Sequence, residues 1–448
     1  MIRNISRRLF VKIAAAVVIL LKIRPVFGQL YSGNEVTADN YSEDPVRVNL
    51  GVDPDGYSRV YIARDLSPED NMKKAIDLTG GIESVIDKDD IVVLKPNAQW
   101  WRQGTTNTNN MKGFIELVLD IPDFKGEIII AENHHYMEPN SRGWTTRERN
   151  GEYNLNELVE YFNKNGHKNI SKYHLVDAGP NPNPRQGNAG NGNIVTSALD
   201  GDGYVWLTDI VYKSPENRKC MMTYPVFTSS YSGKRIDLMR GTYQDGRYRD
   251  NVKLINFSCL NHHGDEFGIT ASIKNLMGVV DMTCGYQGTE PEGFYNTHFI
   301  GSESTIYKLG KQLRYLGVKY NFKEDLGHGV RKMGKFNSHY SGGALGYWLR
   351  TVKMPDLNIL AAEYVGWGGR LDLRKRFHMR SVAVSKDPVA LDYVGAKELL
   401  LKATPEQEKH FRKLNDPDNA PFRLFLEECH NQGIGNLDME RIKVVNHS

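Results

Sequence analysis

Cysteine is scarce in this chain. Only four occur among 448 residues, and no two of them are close together in the sequence: Cys220, Cys259, Cys284 and Cys429. The thiolate ligands of ferredoxin-type iron-sulfur clusters and of zinc ribbons come in closely spaced sets. The spacing therefore excludes both kinds of site, and it leaves open whether one or two disulfides form.

A basic excess is also lacking once the N-terminus is set aside. The formal net charge is +3, but residues 1–28 contain six lysines and arginines and no acid. The rest of the chain therefore carries a formal charge of −3, which gives no electrostatic case for binding nucleic acid. With 40% hydrophobic and 25% charged residues, the composition is that of a globular protein.

A long apolar run is missing as well. The longest near the N-terminus, Ile13 to Leu21, is too short to span a bilayer, and Lys22 and Arg24 close it. The preceding residues, Ser6 to Lys12, read SRRLFVK, a twin-arginine pattern. We predict a signal peptide over residues 1–28, use of the twin-arginine export machinery, a periplasmic or exported protein, and no stable membrane span after cleavage. An uncleaved anchor and an ordinary secretory leader are the alternatives.

The remaining chain is interpreted as one folded region. Residues 29–58 are polar and acidic, which is typical of a linker or arm. Residues 59–448 then alternate strand and helix patterns, without an internal repeat, and predict an α/β catalytic domain with loop insertions at about 143–250. The expected architecture is a mostly parallel sheet flanked by helices.

Chemically capable residues follow three apolar strand patterns at the point where each pattern stops. In open parallel sheets, ligands bind at the carboxyl ends of the strands, and consecutive strands are usually neighbours. We therefore expect these groups to converge, although each one alone also fits an ordinary hydrogen-bonded loop. The three groups are Lys95 and Asn97, Asn133 to His135, and Asn261 to His263.

An apolar stretch of helical spacing, Ile269 to Val280, contains Lys274 and Asn275. Burying an unpaired ammonium group costs several kcal/mol, so Lys274 must be paired or must lie at a wet site. Further along, Asp387 precedes Pro388, an arrangement that predicts a helix N-cap. That carboxylate therefore has a structural role available to it.

Four segments together resemble the family known as domain of unknown function 362. They are IVVLKPN at Ile91 to Asn97, the LNHHG block with IKNLMGVV within Leu260 to Val280, PDLNIL at Pro355 to Leu360, and SKDPVALD at Ser385 to Asp392. The sequence departs from the family where Asn261 and His262 stand in place of a common lysine, and in lacking a ferredoxin-like cysteine cluster. The positions that resemble the family's motifs are Lys95, Asn97, His263, Lys274, Asn275, His298 and Asp387.

These features favour an exported enzyme that acts on a sugar acid or an oligosaccharide, most concretely a hydro-lyase (dehydratase). The resemblance to the family, in an exported member, implies by analogy a uronate-containing oligosaccharide as the substrate and a role in polysaccharide breakdown. The reaction needs a base for a carbon-bound proton, donors for the enolate charge and an acid for the leaving hydroxyl. His263 or Lys274 is the expected base, and His134 or His298 the expected acid. The expected substrate-binding residues are Lys95, Asn97, Trp100, Asn133 and Asn275.

Two other classes of function stay open. Histidines in this chain suit transition ions, so a metal- or cofactor-binding redox or assembly protein is one alternative. The sequence does not identify a cofactor or any metal ligand, and a divalent transition metal is the only candidate that it suggests. A noncatalytic glycan-binding protein is the other alternative, since aromatic residues near polar loops either stack on sugars or simply pack.

Overall fold

The first part of the folded chain alternates strands and helices in the predicted order. A computed structural model describes residues 49–133, 135, 138–179, 192–264, 267–285, 293–298, 300–301 and 339–447, all within the unit Val48–Ser448. The predicted signal peptide, most of the predicted arm, and His134 lie outside the described residues. The opening elements are β1 (Ser58–Arg64), α1 (Pro68–Leu78), β2 (Ile91–Pro96), α2 (Thr108–Leu119), β3 (Glu127–Asn133), α3 (Leu155–Lys164) and β4 (Ile170–Leu175).

A second sheet follows, which the sequence did not predict. Its six strands lie in the order β10-β9-β8-β7-β6-β5. Several are only two to four residues long, and Pro225 interrupts the pattern of a longer one, so the strand signal is weak. The strands are β5 (Ile194–Val195), β6 (Gly203–Lys213), β7 (Lys219–Thr228), β8 (Arg235–Asp237), β9 (Gly241–Gln244) and β10 (Arg247–Arg249).

The remaining elements complete the large sheet and add the helices on its second face. Short 3₁₀ turns also occur at Ile82–Ser84, Arg102–Gly104, Arg142–Trp144, Leu276–Val279, Leu373–Lys375 and Met439–Arg441, and a π turn spans Ala396–Leu400. The elements are β11 (Val252–Ser258), β12 (Asn261–Gly264), β13 (Gly268–Thr270), α4 (Ser272–Asn275), α5 (Tyr340–Thr351), β14 (Leu357–Gly366), β15 (Arg376–Ser385), α6 (Pro388–Gly395), α7 (Leu401–Ala403), α8 (Lys409–Asn415), α9 (Phe422–His430) and β16 (Ile442–His447).

The large sheet has the order β16-β1-β15-β14-β11-β2-β3-β4. Strand β15 pairs antiparallel with β1 and β14, and the other neighbours along this order pair parallel. Strands β12 and β13 pair with each other, and β12 also touches the end of β14. The prediction of an α/β fold with a mostly parallel sheet flanked by helices is confirmed.

Both faces of this sheet are covered. On β2, Val92 and Leu94 pack with helices α1 to α3, whereas Ile91 and Val93 pack on the side of α5, α6, α9 and the second sheet. Side chains alternate between the two faces of a strand, so a strand buried on both sides is an unbroken apolar run. Lys95 falls on the same face as Ile91 and Val93, where it is wholly buried.

The polar stretch after β11 differs from the expected loop. Asn261–Gly264 and Gly268–Thr270 form a short antiparallel pair with a bulge, and the helical pattern expected from Ile269 begins only at Ser272. The Asn261 side chain fixes the start of β12 against the end of β14, because its amide donates to the Gln103 carbonyl at 2.7 Å and accepts from the Gly366 N–H at 2.7 Å. Asp265 and Glu266 lie outside the described residues.

All four cysteines are buried and carry free thiols. Burial raises the pKa of the Cys259 thiol to about 12 and raises the pKa of the other three thiols as well. None is therefore suited to act as a thiolate nucleophile at neutral pH. Among the described helices, none is both long enough and apolar enough to cross a bilayer.

Asp387 caps helix α6, as predicted, and has a larger role as well. One carboxylate oxygen accepts from the N–H groups of Val389 and Ala390, and the other accepts from the Asn436 N–H at 2.7 Å and the Ser58 hydroxyl at 2.5 Å. Gly435 has φ +60, and a Cβ at that position would overlap this carboxylate. A single buried acid therefore joins β1, α6 and the chain before β16.

We expect Asp387→Ala to lower the free energy of unfolding by about 3 kcal/mol, because it removes a helix cap and leaves buried donors without an acceptor. Asp372→Ala is the matched control, since Asp372 also caps a helical turn but is partly exposed. Denaturant unfolding followed by circular dichroism measures both. Equal losses in the two variants would contradict this role for Asp387.

Candidate active site

The carboxyl ends of β2, β3 and β11 meet beneath the segment from Gly268 to Val280. At their centre lies Lys95, whose side chain is 0% exposed. Its ammonium group forms an ion pair with Glu132 and donates to Asn275 Oδ1 at 2.7 Å and to the Pro96 carbonyl at 2.6 Å. Burial lowers the pKa of Lys95, and the neighbouring Glu132 carboxylate opposes that shift. The three predicted strand ends are thus brought together.

A chain of buried side-chain hydrogen bonds crosses the sheet from β14 to β3. Asn256 donates to Asn358 Oδ1 at 2.8 Å, and Asn275 donates to Asn256 Oδ1 at 2.9 Å. Asn275 then accepts from Lys95, which pairs with Glu132. We call the five residues Asn358, Asn256, Asn275, Lys95 and Glu132 the polar ladder. Its members are buried and are joined to one another by hydrogen bonds and an ion pair, so the ladder fixes the positions of the strand ends.

Gly278 is required for this arrangement. A Cβ at position 278 would overlap the end of the Lys95 side chain and Glu132 Oε1. The backbone of the 3₁₀ turn Leu276–Val279 therefore packs directly on the ion pair. This contact explains why a glycine follows the KNLM run in the sequence.

Asp392 holds the start of helix α4 in place. Its carboxylate accepts from the N–H groups of Ser272 at 2.7 Å and Ile273 at 3.0 Å, as well as from the Ser272 hydroxyl. Burial raises the pKa of this carboxyl to about 7. The SKDPVALD and IKNLMGVV segments, distant in sequence, are therefore joined through Asp392, which positions the helix bearing Lys274 and Asn275.

Three predicted catalytic residues surround the ring of Phe267. The Lys274 ammonium lies 3.8 Å from the ring centroid and donates to Met277 Sδ at 3.2 Å. The rings of His263 and His298 lie 5.3 and 5.2 Å from the same centroid. His263 Nδ1 is also 2.5 Å from the Thr270 hydroxyl. The structure therefore places these three residues in one cluster.

The two adjacent histidines face different surroundings. His262 is buried, with Nδ1 2.9 Å from Asn415 Oδ1 and its ring edge-on to Phe411. His263 is half-buried and turns to Phe267. Of this pair, His263 is the one that lies among the other candidate residues.

A second group of cations lies around Trp100. The Arg142 and Arg370 guanidinium carbons are 4.4 and 4.8 Å from the Trp100 ring, and Arg142 is also 5.7 Å from Trp101. Both arginines are half-buried. No carboxylate of the described residues lies within ion-pair distance of either guanidinium group. Burial lowers the pKa of both, and Arg142 contributes to the shift of Arg370.

The two groups act on one another electrostatically. Burial is the main cause that lowers the pKa of His263 and His298 well below 6.5, and the charges of Lys274 and Arg370 add to it at both. His135 contributes to the shift at His298. We call Arg142, Arg370, Lys274, His263 and His298 the cationic cluster. It combines neutral imidazoles with fixed positive charge, a combination suited to an anionic ligand.

Backbone strain concentrates at the same edge of the sheet. Among the described residues, four that are neither Gly, Asn nor Asp have a positive φ: Arg102, His135, Arg142 and Arg380. Three of these four follow β2 or β3, and Arg102 holds the chain next to Arg370 by donating to the Leu371 carbonyl at 2.8 Å. Left-handed backbone is costly for such residues and tends to occur where side chains are positioned for function.

Several residues expected to bind substrate instead serve the protein interior. Lys95 and Asn275 belong to the polar ladder, Asn97 accepts from the Cys259 N–H at 2.8 Å, and Asn133 donates to Asp177 and Tyr204, each at 2.7 Å. Lys95 is therefore placed to support the site from below, because all its described partners are internal. Trp100 lies in the site, but its ring is already contacted by two guanidinium groups.

Sequence reasoning missed Arg142, Arg370 and Phe267. Arg370 directly follows the turn after β14, and Arg142 lies in the loop after β3. A search for basic residues after every strand of the expected parallel sheet would have returned both arginines together with exposed ones such as Arg374, so it would not have singled them out. Within the described ranges, no group of three His, Cys, Asp or Glu side chains has the arrangement of a metal site.

The fold and the cluster define a mostly parallel α/β protein with a charged site at the carboxyl edge of its sheet. Residues 246–397 match the family described as Domain of unknown function (DUF362), and this match supports membership of the chain in that family. The match runs from β10 through α6 and includes Phe267, Lys274, His298, Arg370 and Asp387. No curated protein and no solved structure matches the chain.

The lowered pKa values of His263 and His298 predict how stability depends on pH. The unfolded chain takes up protons near pH 6.5, whereas the folded protein resists protonation at these two rings. More protons are therefore bound by the unfolded state, so stability is complete above 6.5 and is lost as the pH falls below it. We expect the urea midpoint of unfolding to decrease as the pH is lowered from about 7 to about 5. The decrease should be smaller in the double variant His263→Gln/His298→Gln. An identical decrease in that variant would contradict the claim that these two histidines cause the pH dependence.

Proposed function

We propose that this protein is an exported hydro-lyase that removes water next to the carboxylate of a uronate-containing oligosaccharide. The observation that carries the proposal is the cationic cluster, in which Arg142 and Arg370 have no carboxylate partner among the described residues and the charge of Arg370 acts on the neutral imidazoles of His263 and His298. Burying cations without counter-ions is costly, so such a site is best matched by a ligand that supplies the negative charge.

The arginines are suited to the carboxylate of the substrate. A guanidinium group binds a carboxylate through two parallel hydrogen bonds and keeps its charge at any physiological pH. When the neighbouring carbon loses its proton, negative charge spreads onto the carboxylate oxygens, and cations already in place stabilise it. Arg142 and Arg370 would thus bind the carboxylate of the substrate, and they would bind it more tightly in the enolate-like transition state, where its negative charge is greater.

The imidazoles are suited to the proton transfer. His263 and His298 are neutral at pH 7 because their pKa values are lowered, so either ring can accept a proton. We assign the base to His263, which its contacts with Thr270 and Phe267 orient. The C–H bond breaks, its electron pair forms the carbon-carbon double bond, and the β-hydroxyl takes up a proton and leaves as water. Lys274, held over the ring of Phe267, helps to stabilise the developing charge.

The carbohydrate part of the proposal rests on Trp101 and on the predicted export. Trp101 is half-buried, packs against Trp100 at a centroid distance of 5.9 Å and lies 5.7 Å from the Arg142 guanidinium carbon. An aromatic ring beside a carboxylate-binding group is a common way to hold the apolar face of a sugar. Uronate residues of extracellular polysaccharides combine a carboxylate, an acidic α-hydrogen and a β-oxygen substituent in one ring.

Incubation of the purified protein with uronate-terminated oligosaccharides should produce ultraviolet absorbance from an unsaturated carboxylate, because elimination conjugates the new double bond with the carboxyl group. Neutral oligosaccharides should give none. Replacing the base in His263→Ala should lower turnover by roughly 10²–10⁴-fold, the usual contribution of a general base. Unchanged turnover in that variant would exclude His263 as the base.

Arg370→Gln and Arg374→Gln provide a matched comparison on neighbouring residues. Arg374 is exposed and paired with Asp372, so its loss should leave activity unchanged. Loss of the Arg370 charge should lower kcat/KM about 10- to 100-fold, as expected for a hydrogen-bonded charged group. Saturable binding of uronate oligosaccharides without any turnover would instead favour the noncatalytic glycan-binding alternative, and no binding at all would contradict the proposal.

A further inference from the structure

His135 stands at the end of the polar ladder with one ring nitrogen occupied. It follows β3 with φ +50, and its backbone N–H donates to Asn133 Oδ1 at 2.6 Å. Its Nε2 atom lies 2.7 Å from Glu132 Oε1. The ring is only 12% exposed, and Nδ1 makes no hydrogen bond with any residue that the structure describes. The ring is therefore fixed through one nitrogen and available through the other.

The two oxygens of Glu132 have different partners. Oε2 forms the ion pair with Lys95, and Oε1 contacts His135. Because the Lys95 pair keeps Glu132 as a carboxylate, Oε1 can only accept, so the hydrogen must be on His135 Nε2. In the neutral ring this leaves the lone pair on Nδ1. Such a carboxylate-imidazole pair sets both the tautomer and the orientation of a histidine that exchanges protons.

We infer that Lys95, Glu132 and His135 form an acid-base relay in which Nδ1 of His135 supplies the proton that the leaving hydroxyl needs. This inference rests on the proposed function and extends it by naming the acid. His135 is the catalytic residue, and Glu132 and Lys95 are positioning residues. The proton passes from solvent to Nδ1 and from Nδ1 to the departing oxygen as the carbon-oxygen bond breaks, and the ring returns to its neutral Nε2–H form.

The position of the relay agrees with this role. The charge of His135 contributes to the lowered pKa of His298, so the two rings lie near one another. His263 and His298 are the neutral rings of the cluster, whereas His135 is the ring held against a carboxylate. A base and an acid placed in opposite electrostatic surroundings are what an elimination requires.

The test is the tautomer of His135, measured by long-range proton-nitrogen NMR on the full-length protein without substrate. Wild type should show Nε2–H. In Glu132→Gln, Lys95 should hold the amide oxygen, which turns the amide NH₂ towards His135 and makes Nε2 the acceptor. The ring should therefore switch to the Nδ1–H form. An unchanged tautomer in Glu132→Gln would overturn the relay.

A matched control is the pair of His378 on β15 and Glu363 on β14, in which His378 Nε2 lies 2.6 Å from Glu363 Oε1. Glu363→Gln should leave the His135 tautomer and the turnover unchanged. If Glu132→Gln does not fold, His135→Gln tests the role directly, because kcat should then fall about 100-fold or more with little change in KM. Wild-type activity in His135→Gln would overturn the role. A protein that eliminates none of the uronate substrates would refute the proposed function, whereas the tautomer decides the relay independently.

Discussion

The buried ammonium group of Lys95 is the constraint on which the rest of the site depends. It lies at the end of a strand, wholly inside the protein, and must be neutralised there. Glu132 on the neighbouring strand supplies the charge, and Asn275 on the segment above supplies a hydrogen-bond acceptor. Since each partner comes from a different part of the chain, satisfying one cation fixes the relative positions of three elements. Gly278 allows the backbone above to come close enough to close this arrangement.

Above this buried pair the balance of charge reverses. Inside the ladder the cation is matched by a carboxylate, whereas Arg142 and Arg370 are matched by none of the described residues. Phe267 and Trp100 provide aromatic faces that partly stabilise Lys274 and the two arginines. The site at the edge of the sheet therefore stays positively charged, because its arginines are not paired with a carboxylate of the described residues. Helix α4, which carries Lys274, owes its position to Asp392, so two distant sequence motifs serve a single site.

Much of the fold follows from local sequence patterns. Ile91 to Leu94 is apolar without interruption because both faces of β2 are covered, and Ser67 and Asp387 cap the helices that their neighbouring prolines begin. The second sheet was missed because four of its six strands are only two to four residues long and Pro225 breaks the alternation in β7. The histidines and Lys274 could be found, since they stand beside strand ends or within apolar runs. The arginines could not, because nothing local distinguishes Arg370 from the exposed Arg374, and only the three-dimensional contact with Trp100 does so.

A double-mutant cycle on Lys95→Met and Glu132→Gln, with stability measured by denaturant unfolding, tests most directly whether the Lys95–Glu132 ion pair holds the strand ends together. Lys95→Met alone should lower the free energy of unfolding by about 3–5 kcal/mol, because it leaves a carboxylate buried without its cation. The loss of unfolding free energy in the double variant should be clearly smaller than the sum of the two single losses, since neither charge then remains buried. Single losses below about 1 kcal/mol, or strictly additive losses, would contradict the claim that this ion pair holds the strand ends together.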